Sequence, residues 1–142
     1  MTQVDVNDKI IGIDPGTDTG VAIYNPATKS LEMCESTGFW GAIDLINANK
    51  SAMVIIELPN TSHVWHTGAV SQAAKNKTAS NVGKVLREAE LLIEFCKLNG
   101  ISCRSIPPKG KVNAKIFKTV TGWKGRTNEH ARDAGMLCFG VK

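Results

Sequence analysis

Asp14 closes the apolar run Lys9-Ile10-Ile11-Gly12-Ile13-Asp14 and opens the turn-rich stretch Pro15-Gly16-Thr17-Asp18-Thr19-Gly20. Glu57 closes a second run, Ala52-Met53-Val54-Ile55-Ile56-Glu57, and His130 and Asp133 sit three apart in Asn128-Glu129-His130-Ala131-Arg132-Asp133-Ala134. A carboxylate at the end of a buried strand is costly unless something cationic meets it. Several such groups converging make a site for hard divalent cations bound through oxygen. That is the chemistry of metal-assisted phosphodiester cleavage, in which two ions about 4 Å apart clamp the attacking and leaving oxygens. Asp14, on a central strand, is the candidate bridge between the ions, and Glu57 from a neighbouring strand is a candidate for one of them. His130 and Asp133, at i and i+3, share a helix face and are candidates for the other. Glu129, four residues before Asp133, rivals His130 as the fourth ligand. Each residue also has a plainer reading. Asp14 before Pro-Gly suits a turn, Glu57 a solvated strand end, His130 a packed or exposed helix histidine, and Asp133 a favourable charge near a helix start. Asp18 reads as a turn residue.

The elements that must position these groups follow from periodicity. Residues 9–14 read as a buried strand, Pro15-Gly16 as a turn, 19–24 as a second strand and 31–37 as a third. Short turns between them predict an antiparallel meander. Phe39, Ile43 and Ile46 give residues 39–49 one apolar helical face. Residues 52–57 are apolar throughout, as in a strand covered on both sides. The stretch 58–76 is irregular and holds Pro59, His63, Trp65, His66 and Gly68. A long amphipathic helix is predicted from about Ser80 to Leu98, with Val82, Val85, Leu86, Ala89, Leu92, Ile93 and Cys96 as its stripe, and Asn99-Gly100 stops it. Residues 101–106 read as a fifth strand, 111–120 as a short basic helix and 127–139 as a last helix. The β-β-β-α-β-α-β-α order implies an α/β fold whose mixed sheet carries helices on both faces.

A chain of 142 residues suits one domain spanning 1–142. With 42% hydrophobic and 21% charged residues, it is globular rather than disordered. No apolar run approaches the roughly 20 residues of a membrane span. The start, Met1-Thr2-Gln3-Val4-Asp5, lacks the basic and apolar regions of a signal peptide, so a cytoplasmic location is expected. Cys34, Cys96, Cys103 and Cys138 form no Cys-x-x-Cys pair and read as reduced, mostly buried thiols. Residues 1–60 carry three lysines against eight acids, and residues 61–142 carry fourteen Lys or Arg against five acids. The basic half suits either a polyanion or an ordinary solvated face. Lys109, Lys111, Lys115, Lys118, Lys124, Arg126 and Arg132 crowd the approach to the last helix and fit phosphate contacts whose affinity falls with salt. Trp65, just after Glu57, suits either stacking on an unpaired base or packing. His63 and His66 read as surface or backbone-contacting residues, and Trp40 and Trp123 as packing residues.

Taken in order, Ile13-Asp14-Pro15-Gly16, Glu57 ending the fourth strand and Glu129-His130-Ala131-Arg132-Asp133-Ala134 on the last helix resemble the RuvC-type Holliday junction resolvases. These belong to the ribonuclease H-like superfamily, and the chain most resembles their short, phage-associated branch. The resemblance implies a ribonuclease H-like fold with a five-stranded mixed sheet, a three-strand meander plus two parallel strands. It implies a four-ligand site at Asp14, Glu57, His130 and Asp133, catalytic and metal-binding at once. Magnesium, with two ions per site, is the implied cofactor and manganese a substitute. The imidazole of His130, where many relatives carry an acid, suits softer ions such as manganese. The implied activity is resolution of four-way DNA junctions by a homodimer, leaving 5′-phosphate and 3′-hydroxyl ends. No organic cofactor and no membrane are involved, and the location is the cytoplasm, the host's if the chain is phage-encoded. A lysine in the basic region, Lys111 or Lys118, is implied to stabilise charge at the phosphate.

Three other readings compete. A broader branched-DNA debranching nuclease or an RNA–DNA hybrid nuclease fits the same fold, since fold alone does not decide substrate. Residues 14–20 also resemble the phosphate loop of the actin and sugar-kinase group, whose members close two such domains on a nucleotide. A non-catalytic junction-binding protein is the last, and coordinating residues at all four positions argue against it.

Overall fold

The computed structural model describes residues 8–59 and 72–141, residues 72–79 by their backbone alone. Three strands come first, β1 (Ile10–Asp14), β2 (Thr19–Asn25) and β3 (Ser30–Thr37), and pair antiparallel in a meander. Helix α1 (Phe39–Ala48) leads to β4 (Met53–Glu57), which lies parallel to β1. Helix α2 (Gln72–Leu98) precedes β5 (Cys103–Ile106), parallel to β4, and α3 (Ala114–Thr121) and α4 (Glu129–Cys138) complete the described elements. The sheet order is β3-β2-β1-β4-β5, with β1 and β4 internal.

Strand alternation divides the core in two. Ile11, Ile13, Val21, Ile23, Val54 and Ile56 face α1 and α2, where they meet Ala42, Ile46, Ala89, Leu92 and Cys96. Ile10, Ala22, Tyr24 and Ile55 face α3 and α4, where they meet Phe117, Ala131, Ala134, Leu137 and Cys138. Helices therefore cover both faces of the sheet, as the predicted order requires. β3 breaks the two-residue alternation, because Leu31 and Cys34 both join the α4 side. The register shifts between Ile23 and Tyr24, whose partners are Met33 and Leu31, so Glu32 is the extra residue of a bulge. Its carboxylate accepts from Asn25 at 2.8 Å and pairs with Lys9 at 2.7 Å.

Several boundaries differ from expectation. Helix α2 begins at Gln72 rather than near Ser80. Gln72-Ala73-Ala74-Lys75 is rich in strong helix formers but shows no apolar stripe, so propensity extends the helix where periodicity is silent. Strand β5 starts two residues late, because Ile101 N–H donates to the Cys96 carbonyl at 2.8 Å and closes the end of α2. Helix α3 starts at Ala114, since the Asn113 side chain caps it by accepting from Ile116 N–H at 2.8 Å. Lys111 is thereby on a loop. Trp40, expected in packing, is 74% exposed and sits edge-on to Phe39. All four cysteines are free, and all but the half-buried Cys103 are buried. No helix among the described residues is long and apolar enough to cross a membrane.

Helix α4 lies unusually close to the sheet. A Cβ built on Gly12 would fall 2.2 Å from the Ala134 carbonyl oxygen, and one on Gly20 would fall 1.9 Å from that of His130. Alanine usually improves on glycine in a strand by about 0.5–1 kcal/mol, but here it must displace helix backbone. Gly20→Ala is expected to destabilise by at least ~1–3 kcal/mol, read as a lower urea midpoint. Gly83→Ala, in an open position of α2, is the control and is expected to stabilise by about 0.5–1 kcal/mol.

Candidate metal centre

The register places Asp14 and Glu57. Ile13 pairs with Ile56 across parallel strands, so the next residue on each, Asp14 and Glu57, emerges side by side at the carboxyl ends. Both follow the parity of Ile10 and Ile55 and so face α4. Leu58 N–H donates to the Ile106 carbonyl at 2.8 Å, which holds the strand end beyond Glu57. Beyond Asp14, the Thr19 hydroxyl donates to the Gly16 carbonyl at 3.0 Å and closes the turn.

Helix α4 brings the remaining groups. Asn128 caps it, accepting from Ala131 N–H at 2.8 Å, and donates its own amide to Ser36 Oγ at 2.9 Å. Cys34 Sγ donates to the Ala131 carbonyl at 3.1 Å. The first turn is thus tied to β3, while Gly20 and Gly12 admit the helix backbone. Asp133 then meets Asp14 and Glu57, with one carboxylate oxygen from each all within 4.8 Å of one another. His130 joins through Asp14, its Nδ1 lying 3.3 Å from Asp14 Oδ2. His130, expected as a fourth ligand, is not among the residues whose ligand atoms meet within that distance, and its contact with the group is the one to Asp14. Glu129 is turned elsewhere and pairs with Lys111. Between the two rivals, His130 is the one beside the carboxylates. Asp18 is exposed in its turn.

A cleft of about 420 Å³ opens beside this group, lined by Asp14, His130 and Asp133 but not by Glu57. One wall is Pro15–Thr17, and the other is the Asn81, Lys84, Val85 and Glu88 stretch of α2, with Lys111 at the rim. Lys111, and not Lys118, lines the cleft. Lys109, Lys115, Lys118, Lys124 and Arg126 are exposed along the route from β5 to α4. Arg132, expected at a phosphate, instead donates to the Val112 and Thr127 carbonyls. Trp65, His63 and His66 lie outside the described residues. Gly12, Gly20 and the α2 wall carry no chemically reactive pattern in the sequence, although a glycine inside an apolar strand signals close backbone approach.

The carboxylates strain one another. Burial pushes Glu57 up to about 8, with its hydrogen bond to Asp14 and the charge of Asp14 adding to the effect. Asp14 is raised chiefly by burial, with Asp133 contributing, and Asp133 is raised by burial and by Glu57. Lys111 opposes all three shifts. A divalent cation relieves this crowding, and the hard oxygen donors suit one. On the α2 wall, Glu88 Oε2 is buried with no hydrogen-bond partner among the described residues. Asp14, Glu57 and Asp133 thus offer an all-oxygen donor set that could hold a divalent cation such as magnesium or manganese. No protein-family model matches the chain, and no curated protein matches it either.

Without added cation, the raised Glu57 carboxyl gives a signed expectation. Its unfolded value is near 4.5, so its contribution to stability is full below that and is lost as pH rises through about 8. Wild type is expected to lose melting temperature over this window more steeply than Glu57→Gln, which carries no titrating group there. Millimolar magnesium should flatten the wild-type profile. Parallel profiles for the two proteins would show that Glu57 is not strained.

Proposed function

We propose that this chain is a metal-dependent DNA endonuclease of ribonuclease H-like fold that cuts four-way junctions. The observation that carries this reading is the convergence of Asp14, Glu57 and Asp133 within 4.8 Å, two of which, Asp14 and Asp133, line a cleft together with Lys111. The mixed sheet, with a meander at one edge and two parallel strands at the other, agrees with the fold that the resemblance implies. Three carboxylates from three separate elements are more than a single ion pair needs, and none meets a salt-bridging lysine or arginine within the described residues.

In this reading Asp14, Glu57 and Asp133 hold the cations, and the Nε2 of His130 is a further donor. Bound magnesium or manganese supplies Lewis-acid activation of water and of the phosphate. Asp14 orients the His130 ring through Nδ1. Lys111, whose ammonium stands at the rim, meets a non-bridging phosphate oxygen and offsets its charge. The exposed lysines of α3 and its flanking loops track the backbone, an electrostatic attachment that salt weakens. Cleavage leaves a 5′-phosphate and a 3′-hydroxyl. A homodimer belongs to the same reading, because a twofold assembly presents two sites to opposing strands of a junction. Trp40, Leu91 and Leu98 are exposed beside an apolar hollow between α1 and α2 and offer a face for it. A cytoplasmic location follows from such a substrate.

The test is cleavage of a labelled four-way junction with magnesium or manganese, alongside duplex, flap and RNA–DNA hybrid. Paired symmetric nicks confined to the junction are expected. Comparable cutting of the other substrates replaces this reading with a broader nuclease. Asp14→Asn is expected to lower cleavage by at least ~100-fold while junction affinity is retained, because the basic surface is untouched. Full cleavage by that variant would contradict the assignment of the centre.

A further inference from the structure

Lys111 sits on a loop, residues 107–113, that has no helical or strand structure of its own. The loop is held instead by α4. Arg132 donates Nε to the Val112 carbonyl at 3.1 Å and Nη1 to the Thr127 carbonyl at 2.9 Å. Lys109 Nζ donates to the Met136 carbonyl at 3.4 Å. Glu129 receives the Lys111 ammonium in an ion pair. The residues that grip the loop, Glu129, Arg132 and Met136, are spaced by three and four and so form one ridge of the helix. His130 and Asp133 each follow a gripping residue and turn to the carboxylates. One short helix therefore presents two adjacent ridges, one to the acidic group and one to the lysine loop.

We propose that Glu129 and Arg132 are positioning residues, holding Lys111 over the centre so that its ammonium meets a bound phosphodiester. This rests on the endonuclease reading. An exposed ion pair contributes little to stability, and the Lys111 and Glu129 side chains are 67% and 51% exposed. The pair's consequence is conformational. A lysine on a four-carbon stem has many rotamers, and one fixed acceptor narrows them. Arg132 acts a residue further along, by fixing the backbone at Val112. Its fork spans two carbonyls, which a lysine ammonium does not reproduce.

The weak energetic role of Glu129 makes it the clean probe. Single-turnover cleavage of a four-way junction is compared for wild type, Glu129→Gln, Lys111→Ala and the double variant. Glu129→Gln is expected to slow cleavage on the order of 10-fold with junction affinity and melting temperature unchanged, and to add nothing in the Lys111→Ala background. A second readout needs neither metal nor DNA. Acetic anhydride labels lysines of the metal-free protein, and mass spectrometry follows each site. Lys111 is expected to react several times faster in Glu129→Gln and in Arg132→Lys, while the exposed Lys115 and Lys118 react as before. Additive losses in the cycle, or unaltered Lys111 labelling, would overturn the proposal. If wild type cuts no substrate, the endonuclease reading itself fails, and labelling alone then decides whether the clamp exists.

Discussion

The backbone of α4 approaches β1 and β2 more closely than any side chain at Gly12 or Gly20 would permit. This contact sets the position of everything else at the cleft. The helix is prevented from sliding or rolling by Asn128, tied to Ser36, and by the Ala131 carbonyl, tied to Cys34. Gly135 continues the same logic, since a Cβ there would fall 2.7 Å from the Phe117 ring of α3 and 3.4 Å from Cys34 Sγ of β3. With its height and rotation set, α4 turns His130 and Asp133 to the strand ends and Glu129 and Arg132 to the Lys111 loop. A rigid scaffold holding a few groups within fractions of an ångström is what such chemistry requires.

The same geometry carries an electrostatic cost. Asp14, Glu57 and Asp133 are brought together where burial already disfavours their charge, and each raises or is raised by another. Lys111 opposes the shifts of all three, yet its own partner is Glu129, so the carboxylates are not neutralised by a direct ion pair with it. Local sites that oppose folding in this way are characteristic of binding centres, whose ligand restores the balance. The bulge at Glu32 lies at the far end of β3 and is satisfied by Lys9 and Asn25. It serves the sheet and not the centre.

Much of this arrangement is legible in the residue order. All five strands stand within two residues of where the sequence places them, and β1, β2 and β4 are the plainest because strands covered on both faces leave a continuous hydrophobic signal. Asp14 and Glu57 are conspicuous because each ends such a run with a charge. Their meeting with Asp133 depends on strand register and helix height, neither of which periodicity encodes. Spacing does not choose between Glu129 and His130, four and three residues before Asp133; in the structure His130 contacts Asp14 while Glu129 pairs with Lys111. Arg132 shows the converse: its charge suggests phosphate, while its neighbours are carbonyls. The early start of α2 is missed because Gln72 to Thr78 has propensity without an apolar stripe.

The most direct measurement is a titration of the protein with manganese, followed by electron paramagnetic resonance of the free ion and by calorimetry. Wild type should bind the ion with release of protons from the raised carboxyls, and Asp133→Asn, which removes one charge without adding bulk, should weaken binding by at least ~10-fold. Absence of binding at millimolar manganese, or equal binding by the variant, would contradict a divalent-cation centre at Asp14, Glu57 and Asp133.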